Sequence, residues 1–321
     1  MNIVLKIFLS ILIINSVLNA EEITNSANST LTNISFNMDE DGNLNPYLFI
    51  PIYYGISKQF YSSIGYSSTN SQEVEVLDGF SDSKNAFVSS SKDLTINYIT
   101  YIYSLFGYEV STGIESTFSD VNNNEFGYIH DNNDFFGNGT DYYISFDNSI
   151  ELDIQRHAIR ADIVVPMGKY LTSRFFTSIS PYTKIGVKQS TIFKPLVNET
   201  GVSSSSTVQD LSYTFRYDGL IKTGTFFDIA LVAFYGYEPL KYDIAQLAKS
   251  GSDYIFETNE IDTVEVTSRY IAKLLFNVEV LGGLKPSIGY GIENLKRTNN
   301  TLGTTSSIDK TIVTFGFEKM F

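Results

Sequence analysis

Long segments of this chain alternate apolar and polar residues with a period of two. Between Leu105 and Phe118 the even positions are mostly apolar, whereas the odd positions are mostly small or acidic. The pattern returns in Tyr142–Ile154, Val208–Asp218 and Thr263–Phe276. Successive side chains of a strand point to opposite faces, so each segment predicts a strand with one apolar face. These segments are longer than the strands of most globular sheets and suit tilted strands that cross a membrane.

The composition excludes several classes of protein. The 321 residues include no cysteine and carry a formal net charge of −14. The lack of cysteine removes disulfide scaffolds, thiol catalysis and cysteine-ligated zinc. The acidic balance argues against nucleic acid as a partner, because such binding depends on Lys and Arg contacts with phosphate. Past residue 18, no apolar run is long enough for a membrane-spanning helix.

The N-terminus has the features of a secretory signal peptide. A short segment containing Lys6 is followed by the apolar run Ile7–Ile14 and by the small residue Ala20. We therefore expect residues 1–20 to be a signal peptide cleaved after Ala20, with a retained anchor helix as the alternative. Residues 21–29 are polar and are expected to form a flexible segment before the main domain, 30–321, with entry of Glu21–Thr30 into the lumen as the alternative.

The connections between predicted strands alternate between short turns and long polar loops. Short turns are predicted at Ser57–Gln59, Ser104-Leu105, Gln155-Arg156, Ser180-Pro181, Asp218–Ile221 and Leu281–Lys285. Long loops are predicted at Asp39–Asn45, Thr69–Ser91, Ser119–Thr140, Met167–Leu171, Lys194–Thr207, Gly236–Ile261 and Arg297–Ile308. This division gives fourteen strands with both termini on the short-turn side, as bacterial barrels require. Twelve strands is the alternative, and Lys241–Ser250 predicts a short helix within the sixth loop.

The chain ends in an alternating segment that closes on phenylalanine. Val313, Phe315, Phe317 and Phe321 share one face, and Lys319 interrupts the phase. This end resembles the C-terminal signature of bacterial outer-membrane β-barrels, whose last residue is read by the barrel-assembly machinery. The resemblance implies an all-β, antiparallel, up-and-down transmembrane barrel surrounded by outer-membrane lipid and lipopolysaccharide. It implies that Phe321 is the assembly signal, and it names no solute.

The polar face of such a barrel would line its interior, because the apolar face meets lipid. The charged residues predicted to line the pore are Glu109, Glu115, Asp147, Glu151, Asp153, Arg160, Asp162, Asp210, Arg216, Asp228, Glu265, Arg269 and Lys273. Carboxylates outnumber bases in this set, which predicts a cation-preferring lumen. A two-residue turn at Gln155-Arg156 would also place Glu151 opposite Arg160, either as a salt bridge that fixes strand register or as part of a charged ladder along the pore.

Together these patterns predict a monomeric outer-membrane channel for passive diffusion of small hydrophilic solutes. We expect no enzyme activity, cofactor or metal. His157, beside a predicted periplasmic turn, would lie in the wrong leaflet for lipid hydrolysis. The acidic stretches Asp39–Asn43 and Asp131–Asp141 lack EF-hand spacing and are interpreted as solvated loops rather than calcium sites. The alternatives are a non-conducting surface barrel whose long loops bind a partner, and a lipid-modifying enzyme.

Overall fold

A computed structural model describes residues 32–39, 42, 44–54, 60–76, 84–131, 142–194, 197–250, 253–278, 283–301 and 303–320. Fourteen strands account for nearly all of them. They are β1 Thr32–Met38, β2 Leu44–Tyr54, β3 Phe60–Val76, β4 Lys84–Leu105, β5 Tyr108–Asp131, β6 Tyr142–Met167, β7 Leu171–Ser180, β8 Thr183–Lys194, β9 Val197–Val208, β10 Ser212–Ile221, β11 Phe227–Ser250, β12 Asp253–Phe276, β13 Lys285–Asn299 and β14 Thr304–Lys319. Within these residues no helix has the length and apolar character needed to cross a membrane.

Twelve of the strands close into a single antiparallel ring. Strands β1–β7 and β10–β14 pair in order around it, and β1 closes the ring on β14 through the register Thr32↔Lys319 to Met38↔Val313. The remaining two strands, β8 and β9, form a hairpin outside the ring that pairs with the far part of β6. The predicted fold class is therefore confirmed, with fourteen strands in the sheet and twelve in the barrel wall.

The two ends of the barrel differ. At one end, which we call the turn end, tight turns join the strands and the first residue of β1 pairs with the last residue of β14. Phe106 and Gly107 form one of these turns, both at positive φ, as in the two-residue turns that match the twist of a hairpin. At the opposite, long-strand end, β3–β6 and β11–β12 extend well beyond β2, β10 and β13.

The barrel is polar inside and apolar outside. Its exposed residues include Ile114, Ile159, Phe215, Tyr270 and Tyr290, whereas charged side chains are buried within the wall. Rings also cluster at the two borders of the apolar band: Tyr213 stacks on Tyr237 near its long-strand border, and Phe60 contacts Tyr101 near the turn end. This reversal of the usual soluble pattern, with aromatic borders, is typical of a transmembrane β-barrel.

The structure corrects three of the predicted connections. Gln155-Arg156 is not a turn, because β6 runs without a break from Tyr142 to Met167. Met167–Leu171 is a tight turn at the turn end, not a long loop. Ser180-Pro181 is an interruption between β7 and β8, which continue in the same direction along β6.

Other boundaries shift because the strands extend further than the hydrophobic pattern indicates. Asp218–Ile221 belongs to β10, and the turn follows it at 222–226. Lys241–Ser250 is not a helix but the far half of β11, paired with β12 as far as Ser250↔Asp253. Strands also occupy much of the predicted loops Thr69–Ser91, Ser119–Thr140, Lys194–Thr207 and Gly236–Ile261. Residues 1–29, Ser57–Gln59, most of Asp131–Asp141 and Phe321 lie outside the described residues.

Single cysteines would test which end of the barrel faces the medium, because the chain has no native cysteine. Lys188 on β8 at the long-strand end and Phe226 at the turn end are both well exposed. On intact cells, a membrane-impermeant maleimide should label Lys188→Cys and leave Phe226→Cys unlabelled until the outer membrane is permeabilised. Labelling of Phe226→Cys but not of Lys188→Cys would show that the turn end, not the long-strand end, faces the medium.

Candidate functional site in the barrel interior

Cross-strand partners share a face, so the strand register assigns each predicted pore residue to the inside or the outside of the wall. Arg160 is 2% exposed, whereas its neighbour Ile159 is 69% exposed, which fixes the even positions of β6 as inward. By this criterion nine of the predicted residues face the interior: Glu109, Glu115, Arg160, Asp162, Arg216, Asp228, Glu265, Arg269 and Lys273.

Four predicted pore residues do not line the interior. Asp147, Glu151 and Asp153 occupy odd positions of β6, on the same outward face as Ile159, and are exposed. Asp210 is exposed between β9 and β10. The predicted opposition of Glu151 and Arg160 is also wrong, because it depended on a turn that does not form. Glu151 instead lies opposite Lys188, 3.9 Å away on the outer surface.

A network of buried charges occupies the interior beside β6, β7 and β10. Nη2 of Arg160 lies 3.3 Å from Oδ2 of Asp162, and Nη1 of Arg160 lies 3.6 Å from Oε2 of Glu115. Nη2 of Arg174 lies 3.0 Å from the same Oδ2 of Asp162. Arg216 donates through Nε to Asp218 at 2.8 Å. Asp218 is completely buried, so this ion pair has little contact with bulk water. Such a network is stable only when its charges are paired.

One contact crosses the lumen from wall to wall. Nη1 of Arg216 on β10 donates to the hydroxyl of Tyr47 on β2 at 3.4 Å. Five strands of the ring separate β2 from β10 on either side, so these strands lie opposite each other. Tyr61 on β3 likewise accepts from Arg160 on β6 at 3.4 Å, and the Arg160 guanidinium lies 4.9 Å from the ring centroid of Phe176. We call these side chains, with Asp162, Arg174 and Asp218, the constriction.

A second group of ion pairs lies near the turn end. Nζ of Lys273 donates to Glu318 at 2.7 Å, and the Ser287 hydroxyl donates to the same carboxylate oxygen at 2.9 Å. Lys285 bonds Asp228 at 3.0 Å. Lys273 and Glu318 are 5% and 1% exposed, so the pair connecting β12 to β14 is withdrawn from water. These contacts stabilise the part of the ring where the C-terminal strand closes.

The long-strand end holds polar pairs and a packed apolar cluster. Arg269 bonds Glu293 through Nε at 2.6 Å, Arg297 bonds Glu265 through Nε at 2.7 Å, and Arg156 on β6 pairs with Glu238 on β11. The apolar cluster joins β6, the β8–β9 hairpin and β11, and consists of Leu152, Ile154, Ile185, Val187, Val208 and Leu240.

Beyond Tyr237, where its pairing with β10 ends, the backbone of β11 forms hydrogen bonds with a side chain of the β8–β9 hairpin. The Gln189 amide donates to the carbonyl of Ala245 at 3.0 Å and accepts from its N–H at 2.8 Å. Further along β11, burial raises the pKa of Tyr242. The pKa of Lys241 is raised by its hydrogen bond to Glu260 and by the negative charge of that carboxylate. The hairpin therefore packs against β11 rather than standing free above the barrel.

Several interior residues were not predicted, namely Tyr47, Arg156, Arg174, Asp218, Glu238, Lys285, Glu293, Arg297 and Glu318. A signal for some of them was present in the sequence. Asp218 shares the polar face of its segment with Arg216, but the predicted turn at Asp218–Ile221 removed it from the strand. Glu318 likewise lies on the face opposite Val313, Phe315 and Phe317. Tyr47 carries no comparable signal, because its contact comes from a strand far away in sequence.

One polar pair faces outward instead. The hydroxyl of Ser116 on β5 lies 2.5 Å from Nδ1 of His157 on β6, at the long-strand border of the apolar band. His157 is therefore not beside a turn, and its predicted position in the periplasmic leaflet is wrong. Ser116 is nevertheless completely buried, with His157 exposed beside it. Because a nucleophile must reach its substrate, this pair resembles a cross-strand hydrogen bond more than a catalytic dyad.

No protein-family model matches the chain. No curated protein matches it either. Among solved structures, the toluene transporter TbuX of Ralstonia pickettii is similar at 9% sequence identity and a TM-score of 0.34, over 91% of this chain and 88% of that chain.

The contribution of a buried ion pair to the stability of the barrel can be tested at Lys273 and Glu318. Lys273→Met should lower the free energy of unfolding by about 3 kcal/mol, because it leaves the Glu318 carboxylate buried without its cation. Lys319→Met, which changes a less buried lysine at the same end, is the control and should change stability by less than about 0.5 kcal/mol. Urea unfolding in lipid vesicles measures both. Equal stability of the two variants would contradict the assigned pair.

Proposed function

We propose that this chain is a monomeric outer-membrane channel through which small hydrophilic solutes diffuse passively, with a preference for cations. The observation that best supports this proposal is the closed barrel whose outer face is apolar and whose inner face is charged. Such a wall suits lipid and lipopolysaccharide on one side and water with polar solutes on the other. In this proposal Phe321 is recognised by the assembly machinery during insertion, and no cofactor or metal is required.

The size of the barrel favours a narrow path. Eight strands enclose an interior filled by side chains, whereas sixteen to eighteen leave a wide aqueous channel. A ring of twelve lies between these limits, and the contact of Arg216 with Tyr47 narrows it further. We therefore propose that the constriction sets the size limit, so that only small solutes pass.

The proposed cation preference has a different origin from the one that the sequence suggested. Among the described residues, the interior ion pairs contain eight basic side chains and eight carboxylates, so these pairs add no excess charge to the lumen. The protein nevertheless carries a formal net charge of −14, and exposed acids such as Asp147, Asp153 and Asp210 lie towards the long-strand end. We propose that this surface concentrates cations at the entrance, an effect that added salt weakens.

A non-conducting surface barrel is the second candidate. The wall-to-wall contact of Arg216 with Tyr47 favours it, because a lumen crossed by fixed side chains need not conduct. In that case the extended β5–β6 and β11–β12 ribbons at the long-strand end would serve as the surface that binds a partner. We assign no enzymatic role to Ser116 and His157, because the serine is completely buried.

Recordings in planar bilayers test the proposal and separate the two candidates. We expect discrete conductance steps, a reversal potential that indicates cation preference in a potassium chloride gradient, and loss of that preference towards 1 M salt. Tyr47→Ala should raise the single-channel conductance, because it removes one side of the contact across the lumen. Tyr290→Ala, which changes a lipid-facing tyrosine that is 61% exposed, is the matched control and should leave conductance unchanged.

The absence of conductance from correctly folded protein, in the parent and in Tyr47→Ala, would contradict the channel and favour the surface barrel. An anion-selective reversal potential would leave the channel but contradict the proposed role of the exposed acids.

A further inference from the structure

The wall of the barrel has a break beyond the apolar band. β10 pairs with β11 only as far as Tyr213↔Tyr237, whose rings stack at the long-strand border of that band. Beyond this level β11 lies against β9, and among the described residues no backbone ladder joins these two strands. An unpaired strand edge is costly in hydrocarbon but not in water, so the ring can be interrupted only outside the membrane. We call this break between β9 and β11 the seam.

The seam separates two leaves at the long-strand end. The first leaf consists of β8, β9 and the far parts of β3–β6, which are joined to one another by backbone ladders. The second leaf is the far part of β11 with that of β12, paired as far as Ser250↔Asp253. β8 and β9 continue the lines of β7 and β10, but both lines are interrupted at the border, at 181–182 and 209–211. Each leaf is therefore held together by its own ladders.

The inner faces of the two leaves are in contact on this side of the mouth. Leu152 on β6 has the same parity as Arg160, and Leu240 on β11 has the same parity as Asp228, so both leucines face inward. With Val187 on β8 they belong to one apolar cluster, and no member of its buried core is more than 6% exposed. A mouth filled with water would expose these side chains. In this structure the cluster instead closes the space between β6, the β8–β9 hairpin and β11.

Side-chain contacts take the place of a backbone ladder across the seam. The Gln189 amide on β8 binds both the carbonyl and the N–H of Ala245 on β11, at 3.0 Å and 2.8 Å. The Ser206 hydroxyl on β9 donates to the carbonyl of Lys241 on β11 at 2.6 Å. Hydrogen bonds of this kind add little net stability where water can replace them. The leaves can therefore separate at the seam without breaking a strand ladder.

We propose that the two leaves form a gate at the long-strand end of the channel, and that the structure shows the closed state. In the open state β9 moves away from β11, water enters the seam, and the apolar cluster becomes accessible. Solutes then pass between the leaves on their way to the constriction. This inference rests on the proposed channel function and adds to it a closed and an open state.

The first test measures opening without measuring conduction. Val187→Cys places the chain's single cysteine at a position that is 1% exposed, and the two side chains are similar in size. In the folded full-length protein in detergent micelles, a hydrophilic maleimide should label this cysteine slowly, because labelling requires local opening. Adding Gln189→Ala should raise the labelling rate about tenfold, because both hydrogen bonds to Ala245 are lost. Adding Gln155→Ala, on the outer face of β6, is the matched control and should leave the rate unchanged.

Recordings in planar bilayers show whether the same opening admits solutes. Gln189→Ala should raise the ratio of open to closed time about tenfold, whereas Gln155→Ala should behave like the parent. Glu238→Gln weakens the pair with Arg156, which connects the two leaves at a different point. It should act in the same direction in both assays even if Gln189→Ala does not fold. The heat-modifiable gel mobility of each variant reports whether the barrel has folded.

The outcomes distinguish this inference from the proposed function. Equally slow labelling of Val187→Cys in all backgrounds, with open times unchanged by Gln189→Ala and Glu238→Gln, would overturn the gate and leave the channel in place. Immediate labelling without either variant would also overturn the gate, because the leaves would not be closed. Faster labelling in folded variants that never conduct would contradict the channel, and the gate with it.

Discussion

The structure depends on the pairing of β1 with β14. A sheet that enters a membrane cannot leave an edge unpaired, because each backbone N–H or C=O group exposed to hydrocarbon costs several kcal/mol. The ladder from Thr32↔Lys319 to Met38↔Val313 pairs the first and last strands of the twelve-stranded ring, so neither of them is left as an edge within it. Once the ring is closed, every strand has an inside and an outside. The alternation of the sequence then decides which side chains meet lipid and which meet one another across the lumen.

Closure also explains why charged residues can be buried in this molecule. The side chain of Lys273 on β12 passes over Gly289 of β13 and reaches Glu318 on β14. Strands on opposite sides of the ring are brought within reach of long side chains, as Arg216 and Tyr47 are. The second arrangement requires the closed ring, because β2 and β10 face each other only across its lumen. The interior chemistry is therefore a consequence of the fold, not an addition to it.

The period-two pattern predicts the fold class but misplaces several strand boundaries, and β6 shows the physical reason for one of them. In β6 the apolar side chains occupy even positions up to Ile154 and odd positions from Ile159 onwards. In the sequence alone, this change of phase predicts a turn. In the structure, the change of phase marks the level at which the surroundings of the outer face change from lipid to water. Below it, odd positions face lipid. Above it, even positions pack inward with the β8–β9 hairpin, and the outward face carries Glu151 and Asp153 in water.

The candidate site was predictable only in part. Residues such as Arg160 and Asp162 lie on an alternating polar face, so their inward orientation follows from local sequence. Contacts such as Tyr47 with Arg216 depend on which strands stand opposite each other, and this is set by the number of strands in the ring. The strand count was predicted as fourteen with twelve as the alternative. The distinction between strands in the wall and the β8–β9 hairpin outside it required the complete pairing order.

The most direct test of this account is a disulfide across the β1–β14 seam. Phe36 and Phe315 are opposite partners with ring centroids 5.8 Å apart, and the chain has no other cysteine to compete. Phe36→Cys with Phe315→Cys should form a cross-link under mild oxidation in the outer membrane. Phe36→Cys with Val313→Cys, two residues out of register, should not. A cross-link in the second pair alone, or in neither, would contradict the closed ring from which the interior site is derived.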